Sequence, residues 1–147
     1  MASLHLTINP ALPLLRLIPE DLCNGTTIEI TGQMLHRDRF CVDFRDGSFV
    51  NFHLSVRPCD NKIVRNHKMD GEWQKEECKG GCPIKYGAPF KIVIVVEEDK
   101  FKVSHLVNIL YALISKIGGA TGIFDGKRRT CLSLTRLYVN YINISRP

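Results

Sequence analysis

The sequence predicts an all-β domain, built as a sandwich or barrel of short antiparallel strands. Apolar and polar residues alternate with a period of two over short segments, which is the spacing of strands with one buried face. Gly, Asp, Asn and Pro interrupt these segments at short intervals, as turns between strands do. The 147 residues contain neither a repeat nor a linker. We therefore expect a single domain over residues 1–147, with a Pro-containing lead-in over residues 1–18.

The alternation locates individual strands. The segments whose apolar residues share one face are 40–44, 50–57, 90–96, 101–107 and 137–142. The Asp-Gly pair within residues 45–48 tolerates the positive φ of a tight hairpin, so it predicts the turn between the first two.

Three further segments complete the pattern. Residues 61–66 predict another strand, and residues 67–72, which contain Gly71, predict the loop after it. Residues 106–117 are apolar enough for a short helix or for strands, and their strand-rich surroundings favour a pair of strands.

The composition argues against several classes of protein. Hydrophobic residues make up 44% and charged residues 24%, as in globular domains. No apolar run reaches the roughly 18 to 20 residues of a membrane helix, so we expect no membrane insertion. The net charge is +5, but the basic residues are scattered and are not interleaved with aromatic residues. This pattern does not favour a nucleic-acid partner.

The N-terminal segment 12–17 is apolar but does not read as a signal peptide. Prolines interrupt it, and it lacks both a basic start and a small-residue cleavage site. Without secretory entry, the six cysteines are expected to be free thiols.

Segment 50–57 has a polar face opposite its apolar one. His53, Ser55 and Arg57 occupy alternate positions on that face, about 7 Å apart at each step. Three hydrogen-bonding groups in a row suit a flat polar ligand, although an ordinary solvated face would look the same.

Trp73 is the only tryptophan, and it lies in a polar setting between Glu72 and Gln74. An exposed indole beside carboxylates suits a sugar, because the apolar C–H face of a pyranose packs on the ring while carboxylates accept hydrogen bonds from hydroxyls.

Four motifs together resemble the galectin family. They are 52–58 (FHLSVRP), 62–66 (KIVRN), 73–78 (WQKEEC) and 83–90 (PIKYGAPF). In the family the patterns are H-x-N-x-R or H-x-S-x-R, then V-x-N, then W-G-x-E-x-R, then P-F-x-x-G-x-x-F. Residues 25–32 and 40–44 also resemble two successive strands that precede these motifs in the family. The resemblance covers roughly residues 19–142, and its specificity comes from the order and spacing of several motifs.

The resemblance implies a jelly-roll β-sandwich of two antiparallel sheets with a sugar groove on the concave sheet. It implies that His53 and Arg57 bind the axial 4-hydroxyl of galactose, with Ser55 as a shorter polar contact beside them. It also implies that the chain catalyses nothing and needs no cofactor or metal.

The remaining implied contacts surround the rest of the sugar. Asn66 would bind the 6-hydroxyl, Trp73 would stack under the galactose ring, and Glu76 would accept hydrogen bonds from the 6-hydroxyl and the neighbouring sugar. The implied partners are β-galactoside glycans of glycoproteins or glycolipids. The resemblance further implies cytoplasmic synthesis, with leaderless secretion left open, and a homodimer as one route to cross-linking.

Three departures from the family pattern stand out. Gln74 replaces the glycine after the tryptophan, and Cys78 replaces the arginine that helps to hold the second sugar. In 113–116, Leu-Ile-Ser-Lys stands where the family often has F-x-H-R. The first two changes keep open a different function, a galectin fold with lost or altered sugar binding that acts through protein contacts.

A metal site and an enzyme have weaker support in the sequence. A metal site could use Cys78 and Cys82 with Cys59 and His67, but a single Cys-x3-Cys is a weak signal. An enzyme could use His53, Cys59 and Asp60, but no loop suited to bind an oxyanion accompanies them.

Overall fold

The computed structural model describes residues 3–7, 14–17, 23–34, 37–98, 100–105, 112–116, 131–135 and 137–145. In these residues the chain forms strands and a 3-10 turn at Pro58–Asp60, which confirms the predicted all-β class. The strands are β1 (Ser3–Thr7), β2 (Leu14–Leu17), β3 (Thr27–Met34), β4 (Phe40–Asp46), β5 (Phe49–Arg57), β6 (Lys62–Met69), β7 (Glu72–Trp73), β8 (Pro89–Val96), β9 (Lys100–His105), β10 (Ala112–Lys116), β11 (Cys131–Thr135) and β12 (Leu137–Ser145).

The strands form two six-stranded sheets, and neighbouring strands pair in antiparallel orientation. The first sheet has the order β1-β12-β3-β8-β9-β10. The second sheet has the order β2-β11-β4-β5-β6-β7. The predicted jelly-roll sandwich is therefore confirmed, and β5 and β6, which carry four of the six candidate site residues, are neighbours in the second sheet.

The core lies between the two sheets and is built from the alternating apolar positions. Burial alternates residue by residue along β3, β8 and β9 of the first sheet. Five phenylalanines join the layers. Phe40 and Phe90 stack with ring centroids 4.8 Å apart, and Phe44, Phe52 and Phe101 form a second cluster. Because the apolar face of β5 is turned into this core, its polar face lies on the outside of the second sheet.

The N-terminal lead-in contributes regular structure that the sequence did not predict. Residues 3–7 form β1, which pairs with β12, and residues 14–17 form β2, which pairs with β11. Each segment gains its strand conformation from the ladder of a distant strand. The sequence patterns of these two segments are only five and four residues long and give little sign of this pairing.

The prediction of a loop over residues 67–72 is wrong. β6 continues to Met69, and Glu72 already belongs to β7. Only Asp70 and Gly71 form the turn, with φ of 50° and 80°. Two successive positive φ angles suit a two-residue hairpin, because they match the twist of the flanking strands.

The ambiguous segment 106–117 is described only in part. Ala112–Lys116 is a strand that pairs with β9, as expected, whereas residues 106–111 and 117 lie outside the described residues. None of the helices in the described segments has the length and apolar character that a membrane span requires. All six cysteines are free thiols, as expected.

Candidate functional site

The strand registers align polar residues across three strands of the second sheet. Asp43 of β4 lies opposite His53 of β5, and His53 lies opposite Asn66 of β6. The register of β5 shifts next to Asn51 against both neighbouring strands, which marks a β-bulge. Bulges redirect the side chains that follow them and occur often beside functional sites.

A groove of about 320 Å³ lies on this face of the sheet. Its lining residues are His53, Arg57, Asn66, Trp73, Gln74 and Glu76. Five of the six residues proposed from the sequence are therefore brought together. Ser55 does not line the groove, since its side chain is fully buried beneath it.

Asp43 fixes the orientation of His53. The distance from His53 Nδ1 to Asp43 Oδ1 is 2.5 Å, and Asp43 is buried. A carboxylate only accepts hydrogen bonds, so Nδ1 donates to Asp43, and Nε2 is the ring nitrogen left for a ligand. Arg45 Nη2 lies 3.5 Å from the other carboxylate oxygen of Asp43. Sequence reasoning missed Asp43, although it shares the polar face of β4 with Arg45.

Ser55 orients Arg57. The Nε of Arg57 donates a hydrogen bond of 3.0 Å to Ser55 Oγ. This contact differs from the role implied by the family pattern, because a buried hydroxyl cannot reach a ligand itself. Cys41 lies opposite Ser55 on β4; burial raises the pKa of its thiol, although a hydrogen bond from Ser55 lowers it.

Asn66 is held on both sides of its amide. Its Nδ2 donates to the backbone oxygen of Gln74 at 2.9 Å, and its Oδ1 accepts from the backbone nitrogen of His67 at 2.8 Å. One N–H of the amide therefore anchors the segment after Trp73, and the second remains for a ligand. Burial lowers the pKa of His67, which keeps its ring neutral near pH 7.

Trp73 presents an exposed indole beside these polar groups. Its side chain is 49% exposed, as the sequence predicted. The ring centroid lies 4.8 Å from that of His53, and Lys68 Nζ lies 5.6 Å from it over the ring. An apolar plane flanked by hydrogen-bonding groups is an arrangement that accommodates a pyranose ring.

The segment after Trp73 carries both departures from the family motif. Gln74 lines the groove, and its Nε2 donates to the backbone oxygen of Glu72 at 3.1 Å. Cys78 is exposed.

Sequence reasoning missed Arg65, whose buried side chain donates to Glu77 and to the backbone oxygen of Lys79. The sequence feature that could have identified Arg65 is a charged residue on the core-facing side of a predicted strand.

No group of three or more His, Cys, Asp or Glu side chains within the described segments is arranged to hold a metal ion.

Comparison with known proteins places this arrangement in a family. A family model described as galactoside-binding lectin matches residues 13–108, which is more than half of the chain. Galectin-3 of Mus musculus is 44% identical over 70 residues, which cover 46% of this chain and 26% of that protein. Galectin-4 of Homo sapiens is 38% identical over 103 residues, which cover 66% of this chain and 32% of that protein. The chain thus spans a minor part of the length of these relatives.

Solved structures are similar over nearly the whole chain. A galectin of Caenorhabditis elegans, LEC-6, has a TM-score of 0.78 at 15% identity and covers 98% of this chain and 96% of its own. Chicken galectin 2 has a TM-score of 0.75 at 18% identity and covers 89% of this chain and 97% of its own. At these identities the likeness shows the fold, and the family follows from the matching family model. The chain belongs to the galactoside-binding lectins, the galectin family.

Proposed function

We propose that the chain binds β-galactoside-containing glycans in the groove of the second sheet and acts as a binding module rather than an enzyme. The observation that carries the proposal is the convergence of polar side chains around one exposed indole, Trp73. A sugar needs both elements, because one face of the ring is apolar and its edge carries hydroxyls.

Different parts of the sugar would meet different groups. Nε2 of His53, whose ring Asp43 orients through Nδ1, accepts a hydrogen bond from the axial 4-hydroxyl of galactose. Arg57 donates to the same oxygen. Trp73 packs against the C–H face, and Glu76 accepts from the 6-hydroxyl and from the next sugar.

Selectivity for galactose over its 4-epimer would follow from the pairing of His53 and Arg57. In the epimer the 4-hydroxyl is equatorial and does not reach both groups. The partly buried donor and acceptor then lose their partner, and an unpaired polar group costs roughly 1–3 kcal/mol.

Trp73→Ala tests the proposal. We expect it to weaken lactose binding by about 1–3 kcal/mol, by analogy with the loss of an aromatic stacking partner for a base. Because Trp73 is half exposed, the free energy of unfolding should change little. Titration calorimetry with lactose measures the first quantity, and urea denaturation followed by circular dichroism measures the second.

Tyr86→Ala is a matched control, since Tyr86 is an equally exposed aromatic residue, at 47%, outside the groove. Its lactose affinity should equal that of the wild type. A Trp73→Ala protein that unfolds, or that binds lactose normally, would contradict the role given to the indole.

A second prediction concerns Cys78. We expect Cys78→Arg to tighten lactose binding about tenfold, because one charged hydrogen bond to the second sugar contributes roughly 1.5 kcal/mol or more. A thiol is a weak donor and is too short for this contact. Calorimetry on both proteins checks the expectation, and Cys78→Met serves as a control for side-chain length. Equal affinities of wild type and Cys78→Arg would refute it.

A galectin fold that acts through protein contacts is the second candidate function. Gln74 favours it, because a side chain lines the groove where the family motif has glycine. Retention on immobilised lactose, with elution by free lactose but not by sucrose, distinguishes the two. Absence of retention would favour protein contacts.

The partners and location are proposals that follow from the first candidate function. The partners are glycans of glycoproteins or glycolipids, met in the cytoplasm or, after leaderless secretion, outside the cell. A homodimer would allow cross-linking, and sedimentation equilibrium would measure it.

A further inference from the structure

Arg65 places a buried positive charge on the side of β6 that faces away from the groove. Its side chain is 1% exposed. It lies two residues after Ile63, which belongs to the hydrophobic core, so both side chains occupy the same face of the strand. A guanidinium buried to this degree is costly unless its donors are used.

The two terminal nitrogens of the guanidinium donate mainly to one segment of the chain, whereas Nε has no hydrogen-bond partner among the described residues. Nη1 donates to the backbone oxygens of Ile63 at 2.7 Å and Lys79 at 3.1 Å. Nη2 donates to the oxygen of Lys79 at 3.2 Å and to Glu77 Oε1 at 3.2 Å. Two of these three partners lie in residues 74–79, which follow β7.

The backbone of the same segment is bonded to β6 at the same place. Arg65 N donates to Glu77 O at 2.8 Å, and Glu77 N donates to Arg65 O at 2.9 Å. Nearer to β7, Gln74 N donates to His67 O at 3.1 Å. Glu76 lies between these anchors and lines the groove.

We propose that Arg65 is a positioning residue of the groove, which fastens residues 74–79 to β6 and thereby holds Glu76 in place to accept hydrogen bonds from a bound galactoside. The inference rests on the proposed function. Arg65 cannot touch the sugar itself, because it is buried on the opposite face. From the core side of the sheet, Arg65 donates hydrogen bonds to this segment that the thiol of Cys78, a weak donor, cannot supply.

The proposal makes a prediction for the ligand-free protein and one for binding. In Arg65→Met we expect hydrogen exchange at the Glu77 amide to be at least about tenfold faster, because the local opening that exposes this amide becomes easier. Lactose affinity should fall about tenfold, because binding must then order the segment. For Arg65→Lys, both the exchange rate and the lactose affinity should lie between those of the wild type and Arg65→Met. A single ammonium cannot match the planar guanidinium, which reaches two carbonyls and a carboxylate.

Arg39→Met is the matched control. It makes the same chemical change at an exposed arginine, whose guanidinium lies 3.7 Å from Asp38. Exchange at Glu77 and lactose affinity should both equal the wild-type values. If Arg65→Met does not fold, Arg65→Lys and Glu77→Ala, which removes one of the three partners, make the same measurements.

The outcomes separate this proposal from the proposed function. Unchanged exchange at Glu77 overturns the proposal whatever the affinity. Faster exchange with unchanged lactose affinity also overturns it, because the segment would then not matter to the groove. A wild-type protein that fails to bind lactose contradicts the proposed function and, with it, the role given to Glu76, whereas the exchange result still decides whether Arg65 fastens the segment.

Discussion

Phe52→Ala is expected to destabilise the domain by about 3–5 kcal/mol, because it removes a large ring from the centre of the core. The ring of Phe52 is fully buried. It lies 4.8 Å from the centroid of Phe101 in the first sheet and 5.8 Å from that of Phe44 in its own sheet. Truncation therefore opens a cavity at the point where the two sheets meet, and the rigid strands around it can collapse only partly.

Urea unfolding followed by circular dichroism measures this loss. Phe52→Leu is the control, because it keeps most of the apolar volume and should cost clearly less than the alanine variant. A total stability of about 5–15 kcal/mol, typical of single domains, leaves part of the Phe52→Ala protein folded. That fraction should bind lactose normally, since Phe52 faces away from the groove. An alanine variant as stable as the wild type would show that the core is not centred on this cluster.

The outline of the second sheet could be predicted because its strands have two different faces. In β5, apolar residues enter the core at alternate positions, and His53 and Arg57 take the positions between them. A period of two is a local property, so one sequence suffices to detect it. The same reasoning placed Trp73 outside the core, because its sequence neighbours are polar.

Other features depend on contacts between distant parts of the chain, which periodicity does not record. The strand β2 exists because β11 offers it a ladder, and the pairing of Asp43 with His53 depends on the register between β4 and β5. Arg65 contradicts the alternation around it, and only the folded segment 74–79 explains its burial. Ser55 was expected at the ligand, whereas the structure shows it supporting Arg57 from below.

Arg57→Ala is expected to weaken lactose binding by about 1.5–3 kcal/mol, or roughly ten- to hundredfold, with little loss of stability. Arg57 lies on the same strand as Phe52 but on the groove side. Arg57→Ala should therefore reduce the lactose affinity and not the stability, whereas Phe52→Ala should reduce the stability and not the affinity. Its Nε is engaged with Ser55, which leaves the terminal nitrogens for a sugar hydroxyl. Calorimetry with lactose and urea unfolding on the same preparation give the two quantities.

Three further variants identify the cause of the loss. Arg57→Lys keeps the charge but not the Nε–H, and should lose most of the affinity if geometry matters more than charge. Ser55→Ala removes only the acceptor that orients Arg57 and should cause a smaller loss. Lys62→Met removes an exposed charge from the residue opposite Arg57 on β6 and should change neither quantity. If Arg57→Ala binds lactose as tightly as the wild type, the sugar is bound elsewhere. Neither His53 nor Ser55, the other two residues of the row along β5, could replace the guanidinium at that position.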